Sequence, residues 1–515
     1  MRIIAFFVFY RIAKTTGIMS EMKNLAKQTA IYGISNILGK FLNWCLVPLY
    51  TYILESSAEY GTVTNLYAWT ALLLVILTYG METGFFRFAN KEGEDASQVY
   101  SNTLICIGST STIFALIGYF FAQPIANLLG YSDHAEYIAY ISIIVALDAF
   151  CTIPFAHLRY QNKASKFAML TLAKIIVTIA FNLFFLLGCP YLMVHAPGTV
   201  DWFYDPSYGV GYVFVANLIA CLFCTATLLP EIRKAHFQFD KGLLKKMLNY
   251  SLPLLLLGIA GIMNQTADKI VFPYLIDDPQ LARTELGIYG ACFKVAMVMM
   301  VFTQAFRYAY EPYVFSQNKG GDKRGEYADA MKFFIIFSLL IFLGMIFYLD
   351  ILKFIIKDSY WVGLRVVPIV LMSYIFQGIF FNLSIWYKLV DMTRYGAYLS
   401  FLGMCITFAV NILFVPTYSY MASAAASFCC YFVIMLISYL LGQKYYPIKY
   451  DLKSILLYFV VAMALFGISQ LVAEEGTLIK YGVNTALLIL YIVFFIKRDL
   501  PLQAIPVIGK LVSKK

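Results

Sequence analysis

The chain has 515 residues, 61% of them hydrophobic and 13% charged, with mean hydropathy +0.74 and a formal net charge of +10. A soluble domain carries about 25% charged residues, so this composition excludes a soluble globular protein and points to an all-α, polytopic membrane protein. Only four histidines occur. No phosphate loop, nucleophile elbow or paired-carboxylate motif stands outside the apolar runs, which excludes a large soluble catalytic domain.

Residues 3–10, "IIAFFVFY", are too short to span a membrane and lack a small-residue cleavage site. Met19 and Met22 are alternative starts, and residues 1–23 read as an N-terminal cytoplasmic segment. Apolar runs of spanning length then follow at 28–54, 60–86, 98–122, 136–157, 166–188, 208–230 and 247–276. They continue at 286–308, 331–350, 362–386, 395–415, 418–441, 453–472 and 481–496. About fourteen spans are therefore expected. Cys221 and Cys224 form a C-x-x-C inside the sixth run with no second thiol pair, so packing is their expected role.

The loops sort by charge. With the N-terminus inside, one set holds Arg87 and Lys91, then Arg159, Lys163 and Lys166, then Arg233 to Lys246, and so on to a basic C-terminus. The other set carries Glu55, Glu59, Asp133, Asp201, Asp205, Asp277, Asp278, Glu474 and Glu475. Of the 39 Lys and Arg, 30 fall inside, 5 outside (Arg283, Lys353, Lys357, Arg365, Lys480) and 4 within spans. This is the positive-inside pattern. The excess basic charge is topology, no nucleic-acid partner is called for, and both termini are expected in the cytoplasm.

Two halves repeat. "VPLYTYILESSAEYG" (47–61) aligns with "FPYLIDDPQLARTELG" (272–287), which matches Pro48 to Pro273, Glu59 to Glu285 and Gly61 to Gly287. "FFRFA" (85–89) aligns with "AFRYA" (305–309), which sets Arg87 opposite Arg307. "RYQNKASKF", before a run with Asn182, resembles "WYKLVDMTRY", before one with Asn411. The division expected is a six-helix half at 24–236, a second at 237–444, an extra helix pair at 445–498 and a cytoplasmic tail at 499–515. Six is even, so the halves point the same way and are related by an axis along the membrane normal. Such halves suit a rocking transporter with its substrate between them near the midplane.

Charges inside spans cost about 2.5–3.5 kcal/mol each near a helix centre, so they mark function. Lys40 lies thirteen residues after Lys27, about 20 Å along a helix. Asp268 and Lys269 sit side by side in "MNQTADKIVFPYLI" (263–276), and Lys294 has similar depth in the next run. Lys40 is eight residues before its proline and Lys269 four before its own, so one helical turn separates them and they face comparably. Lys174 can snorkel towards Lys166, and Arg87 and Arg307 stand near helix ends where anchors are common. The cations on the first, second, seventh and eighth runs suit an anionic substrate, a phosphate above all. Lys269 is expected to meet the anion, with Asp268 holding it or carrying a proton. Asp148 is a lone carboxylate in the fourth run, suited either to proton coupling or to pairing with Lys174.

The run "ADKIVFPYLI…ELGIYGACFKVA" with "AFRYAYEPYVFS", together with "EYG" and "METGFFRFA" in the first half, resembles the polysaccharide flippases. Their superfamily also holds the multidrug and toxin extruders and the peptidoglycan lipid flippase. The resemblance implies a fourteen-span exporter, not an enzyme, that flips an undecaprenyl-diphosphate-linked oligosaccharide across the bacterial cytoplasmic membrane by alternating access, coupled to an ion gradient. It implies substrate binding by Lys40, Arg87, Lys269, Lys294 and Arg307, ion coupling at Asp148 and Asp268, and no cofactor. Membrane lipids, a polysaccharide polymerase and other assembly proteins are the implied partners. A drug antiporter would favour a carboxylate-rich cavity. A polymerase or ligase would favour a large outer loop with catalytic Arg or His, whereas loop 189–207 has His195 but no arginine. The peptidoglycan lipid flippase fits the motifs less well than the oligosaccharide exporters.

Overall fold

The computed structural model describes residues 21–236, 238–317 and 323–499. The expected N-terminal segment up to residue 20 and the expected tail beyond Asp499 lie outside them. Every element among the described residues is helical, with no strand. Hydrocarbon offers no partner to a peptide group, so each apolar run must close its backbone hydrogen bonds within itself.

The first helices are α1 (Glu21–Trp44), α2 (Leu46–Ile53), α3 (Ser57–Thr78), α4 (Met81–Ala89), α5 (Ala96–Phe120), α6 (Ala122–Leu129) and α7 (Ala135–Tyr160). Then come α8 (Ala164–Leu183), α9 (Cys189–His195), α10 (Gly211–Ile232), α11 (Lys241–Val271), α12 (Pro279–Val295) and α13 (Met297–Gln317). The last are α14 (Arg324–Phe347), α15 (Leu349–Leu352), α16 (Val367–Leu383), α17 (Ile385–Leu389), α18 (Arg394–Tyr418), α19 (Tyr420–Tyr445), α20 (Leu452–Leu471) and α21 (Thr477–Asp499). Starts are set by side-chain caps that accept an orphan amide: Ser56 from Glu59 N, Asp95 from Ser97 N, Asp240 from Gly242 N and Asp451 from Ser454 N.

Each of the expected apolar runs falls on a helix or helix pair. Twelve stretches are long and apolar enough to cross a membrane, or thirteen if the pair Pro279–Val295 and Met297–Glu311, bent by 47°, is one span. The first expected run, 28–54, lies on α1 and α2, which are not among them. The protein is a multi-pass membrane protein.

Two compact units divide the chain: residues up to Ala291 with Ser400–Cys430, and Cys292–Leu399 with Tyr431 onward. Each carries its own membrane ruler. In the first, Lys166 Nζ meets Glu231 at 2.6 Å, and Phe185 stacks on Tyr212 with centroids 5.0 Å apart. Both chain segments between these contacts, 166 to 185 and 212 to 231, run 19 residues, about 28 Å of helix. In the second, Lys332 meets Asp499 at 2.9 Å and Lys480 meets Asp350. Those segments run 18 and 19 residues, again about 28 Å. That length matches the hydrocarbon thickness of about 30 Å. The contacts thus mark a basic end and an opposite end of each unit.

The aligned glycines of the repeat meet. A Cβ on Gly61 of α3 would stand 1.9 Å from Arg283 O of α12, and one on Gly287 would stand 1.9 Å from Ser57 O of α3. Backbone touches backbone, so no rotamer change makes room. The repeated asparagines also share one geometry. Asn182 Nδ2 donates to Thr178 O and Asn411 Nδ2 to Thr407 O, both at 2.7 Å, and both asparagines are fully buried.

Gly61→Ala and Gly287→Ala should each destabilise the protein by about 1–3 kcal/mol, the cost of overpacking. Thermal unfolding in detergent measures it, and Gly467→Ala, whose Cβ meets nothing within 4 Å, is the matched control.

Candidate functional site

The sequence-predicted charges fall into distinct settings. Asp148 of α7 accepts from Lys174 Nζ of α8 at 2.5 Å. Lys174 lies eight residues from Lys166, and Asp148 nine from His157, whose Nδ1 is 4.0 Å from Glu231. Both offsets give about 12–14 Å above the basic end. The ion pair therefore sits at the middle of the bilayer. Its side chains are 27% and 23% exposed, so it borders accessible space. Cys221 Sγ donates to Asp148 Oδ1 at 3.4 Å, and Asn217 joins that thiol to the Tyr67 hydroxyl. The C-x-x-C is a packing element as expected, since Cys224 is buried with Cys151, Leu158, Leu170 and Leu228. A Cβ on Gly39 of α1 would touch Ile175, the neighbour of Lys174. The next residue, half-buried Lys40, thus lies at the depth of the pair.

Asp268 and Lys269 form a second setting. Asp268 is 1% exposed and accepts from Lys269 Nζ at 2.8 Å, Tyr289 OH at 2.6 Å and Lys269 N at 3.0 Å. Asn65 Nδ2 donates to Lys269 O at 2.8 Å, and Tyr131 OH holds Asn65 Oδ1 at 3.0 Å. The Lys269 ammonium lies 5.2 Å from the Tyr289 ring centroid. The packing that delivers these groups is apolar: Ala68 and Leu72 of α3 against Met263, Ala267 and Ile270 of α11.

Arg87 is exposed in the last turn of α4, its guanidinium 4.0 Å above the Tyr250 ring. In the second unit, Lys294 stands exposed in the last turn of α12, just before the 47° bend. Arg307 meets Glu311 at 3.3 Å and lies 5.1 Å from the Phe381 ring.

The corresponding helices of both halves are broken: α3 to α4 at Tyr79 and Gly80, with φ of 33° and 72°, and α12 to α13 at Ala296. Interrupted helices in matching positions of a repeat point to a transporter's binding site. Each broken span is tied at its basic end by an ion pair that the sequence did not announce. Arg159 at the end of α7 holds Glu82 of α4, and Lys388 of α17 holds Glu311 of α13. Only the proximity of Glu82 to "FFRFA" hinted at the first.

Among the described residues no three of His, Cys, Asp and Glu gather as a metal centre would. His195 Nδ1 lies 2.9 Å from Tyr191 O, and its ring stacks on Tyr191. In the same loop, hydrogen bonds from the Ser207 hydroxyl and amide hold the Asp205 carboxyl below its usual range. Both groups serve local structure.

A family model described as polysaccharide biosynthesis protein matches residues 25–317, more than half of the chain. The chain belongs to the polysaccharide biosynthesis protein family. A second family model, MatE, matches residues 280–413, which agrees with the wider superfamily of multidrug, oligosaccharidyl-lipid and polysaccharide exporters. No curated protein matches the chain. Its fold is similar to a solved structure titled lipid II flippase MurJ, inward closed conformation, at 14% identity and TM-score 0.70, covering 92% of this chain and 99% of that one. It is also similar to an inward-facing multidrug resistance MATE family transporter, at 12% identity and TM-score 0.62, covering 79% and 94%. These families are transporters and flippases, and this polysaccharide biosynthesis family member shares their helical frame.

Breaking one side of the midplane pair leaves an uncompensated charge in a low-dielectric setting. Lys174→Met should therefore lower thermal stability more than the double variant Asp148→Asn/Lys174→Met. A coupling of about 1–3 kcal/mol between the sites is expected. A loss in the double variant equal to the sum of the losses in Lys174→Met and Asp148→Asn would show that the pair contributes nothing to stability.

Proposed function

We propose that this protein flips an undecaprenyl-diphosphate-linked oligosaccharide across the bacterial cytoplasmic membrane by alternating access, driven by an ion gradient. The observation that carries the reading is a family match for polysaccharide biosynthesis over spans that hold cations at membrane depth. Lys40 and Lys174 at the midplane, with Lys269 one helical turn from Lys40 in the aligned repeat, suit the charge of a diphosphate. Arg87, Lys294 and Arg307, all exposed, supply further donors. The halves 24–236 and 237–444 act as the moving repeats, with the pair 445–498 appended and both termini cytoplasmic.

Asp148 and Lys174 give the cycle its coupling. A proton on Asp148 removes the counter-charge and leaves Lys174 available to a phosphate oxygen. Proton release restores the pair and frees the anion. Asp268 is the competing carboxylate for that role. Membrane lipids and a polysaccharide polymerase with its assembly partners complete the pathway.

In vesicles with an imposed pH gradient, Asp148→Asn should cut gradient-stimulated flipping of fluorescent lipid-linked oligosaccharide at least ten-fold, on the order of the loss of one strong charged interaction, while substrate binding persists. Stimulation that survives Asp148→Asn but fails in Asp268→Asn reassigns coupling to Asp268. Lys40→Gln and Lys294→Gln should weaken substrate binding and spare the fold, whereas Lys269→Ala should also lower yield because Asp268 loses its partner. Efflux of cationic dyes without lipid flipping would instead favour a drug antiporter of the same superfamily. Orientation is checked separately: a cysteine at Ser132 should label from outside and one at Ser165 should not, in a background without native cysteines.

A further inference from the structure

Four of the five cations that break the positive-inside pattern belong to one unit: Lys353, Lys357, Arg365 and Lys480. Three stand between α14 and α16, Lys353 on a short 3-10 helix (Lys353–Ile355), Lys357 in the link that follows and Arg365 on a second 3-10 helix (Asp358–Val366), and Lys480 stands one turn into α21. The ruler places them. Lys480 and Lys353 share Asp350, the contact that marks the end opposite the basic one, about 28 Å from Lys332 and Asp499. That is the depth at which lipid phosphates begin.

The segment is folded firmly. Trp361 Nε1 donates to Lys353 O at 3.0 Å and Ile356 O at 3.2 Å, and the Lys353 ammonium lies 4.5 Å from the indole centroid. Ile351, Phe354 and Val362 are 53%, 61% and 57% exposed on the same short helices. Exposed apolar groups beside cations describe an interfacial element, with the apolar groups in acyl chains and the cations at the headgroups. Among the described residues, neither Lys357 nor Arg365 has a carboxylate within ion-pair distance.

The carboxylates present offset this charge only in part. Asp350 is shared by two lysines and Asp358, which accepts from Ser359 N at 2.8 Å, adjoins Lys357, so four cations face two carboxylates on these elements. Glu474 and Glu475 stand on the turn before α21, five or six residues before Lys480 and so on its water side.

We propose that this patch is a binding site for the phosphate of an anionic phospholipid in the leaflet opposite the basic loops. Lys357 and Arg365 are the phosphate donors, and Lys353 is held ready on Trp361. The site is independent of the substrate assigned above, because it uses none of the residues given to that role.

The test uses the full chain in phosphatidylcholine vesicles, with brominated-acyl phosphatidylglycerol or brominated-acyl phosphatidylcholine as quencher. The Trp361 signal is the difference between the parent and Trp361→Phe. Brominated phosphatidylglycerol should quench Trp361 preferentially. The preference should fall by up to about five-fold per cation in Lys357→Ala/Arg365→Ala, and Lys357→Arg/Arg365→Lys should retain it. If Trp361→Phe does not fold, lipid retention by the parent and the double-alanine variant in native mass spectrometry gives the same comparison. Equal quenching by the two lipids, or a preference untouched by the double-alanine variant, overturns the proposal. So does a preference seen only with polyprenyl diphosphate, which would make the patch a port for the substrate lipid.

Discussion

A charge within hydrocarbon must bring its own partner, and the arrangement of this protein follows from that constraint. Charged contacts mark the ends of each unit by itself. Lys166 with Glu231 stands at the basic end of the first, and Lys332 with Asp499 and Lys480 with Asp350 stand at the basic and opposite ends of the second. Between these levels few charges occur, and Asp148 and Asp268 each hold a lysine. The boundary pairs fix each helix axially, because sliding by one turn would carry a charge into the acyl layer. Apolar packing alone would not resist that slide, since lipid tails are as apolar as leucine.

Close backbone approach does in the lateral direction what ion pairs do along the axis. Lacking a Cβ, Gly61 and Gly287 let α3 and α12 touch through main-chain atoms. The contact is reciprocal, each glycine meeting the turn before its counterpart, as expected where a repeat meets itself. The two halves do not reproduce every device with the same residues. Glu82 with Arg159 and Glu311 with Lys388 tie the ends of equivalent broken spans, yet acid and base occupy different places relative to Arg87 and Arg307. Duplication preserved the need for a tie and not its residues.

All the span positions but the first were legible in the sequence, because hydropathy over about twenty residues needs no knowledge of neighbours, and the matched Gly and Asn led to paired local geometries. Depth was legible too: counting from Lys166 placed Lys174 within the span. Distant partners were the missing layer. The pairing of Asp148 with Lys174, on helices adjoining in sequence, stood among the expectations, whereas Asn65 meets Lys269 O across 204 residues, and such pairings depend on which helix faces pack together. Likewise the sequence showed neither the Tyr289 hydroxyl on Asp268 nor the Tyr250 ring beneath the Arg87 guanidinium. The tie through Glu82 stayed hidden because Arg159 counted as one more loop charge in the topology.

The two membrane carboxylates differ in what their surroundings permit. Asp268 takes three donors, one of them the Tyr289 hydroxyl, and its side chain is 2% exposed. Such an enclosed and well-made set of hydrogen bonds suits a fixed support for Lys269 and α12. Asp148 has a lysine and a thiol, the weaker kind of donor, and is 27% exposed. Its lysine can leave without opening the helix packing, because Lys174 is itself a quarter exposed on a long, flexible stem. A pair at the midplane built this way can separate at low structural cost. A pair enclosed by tyrosine ties its own helices together.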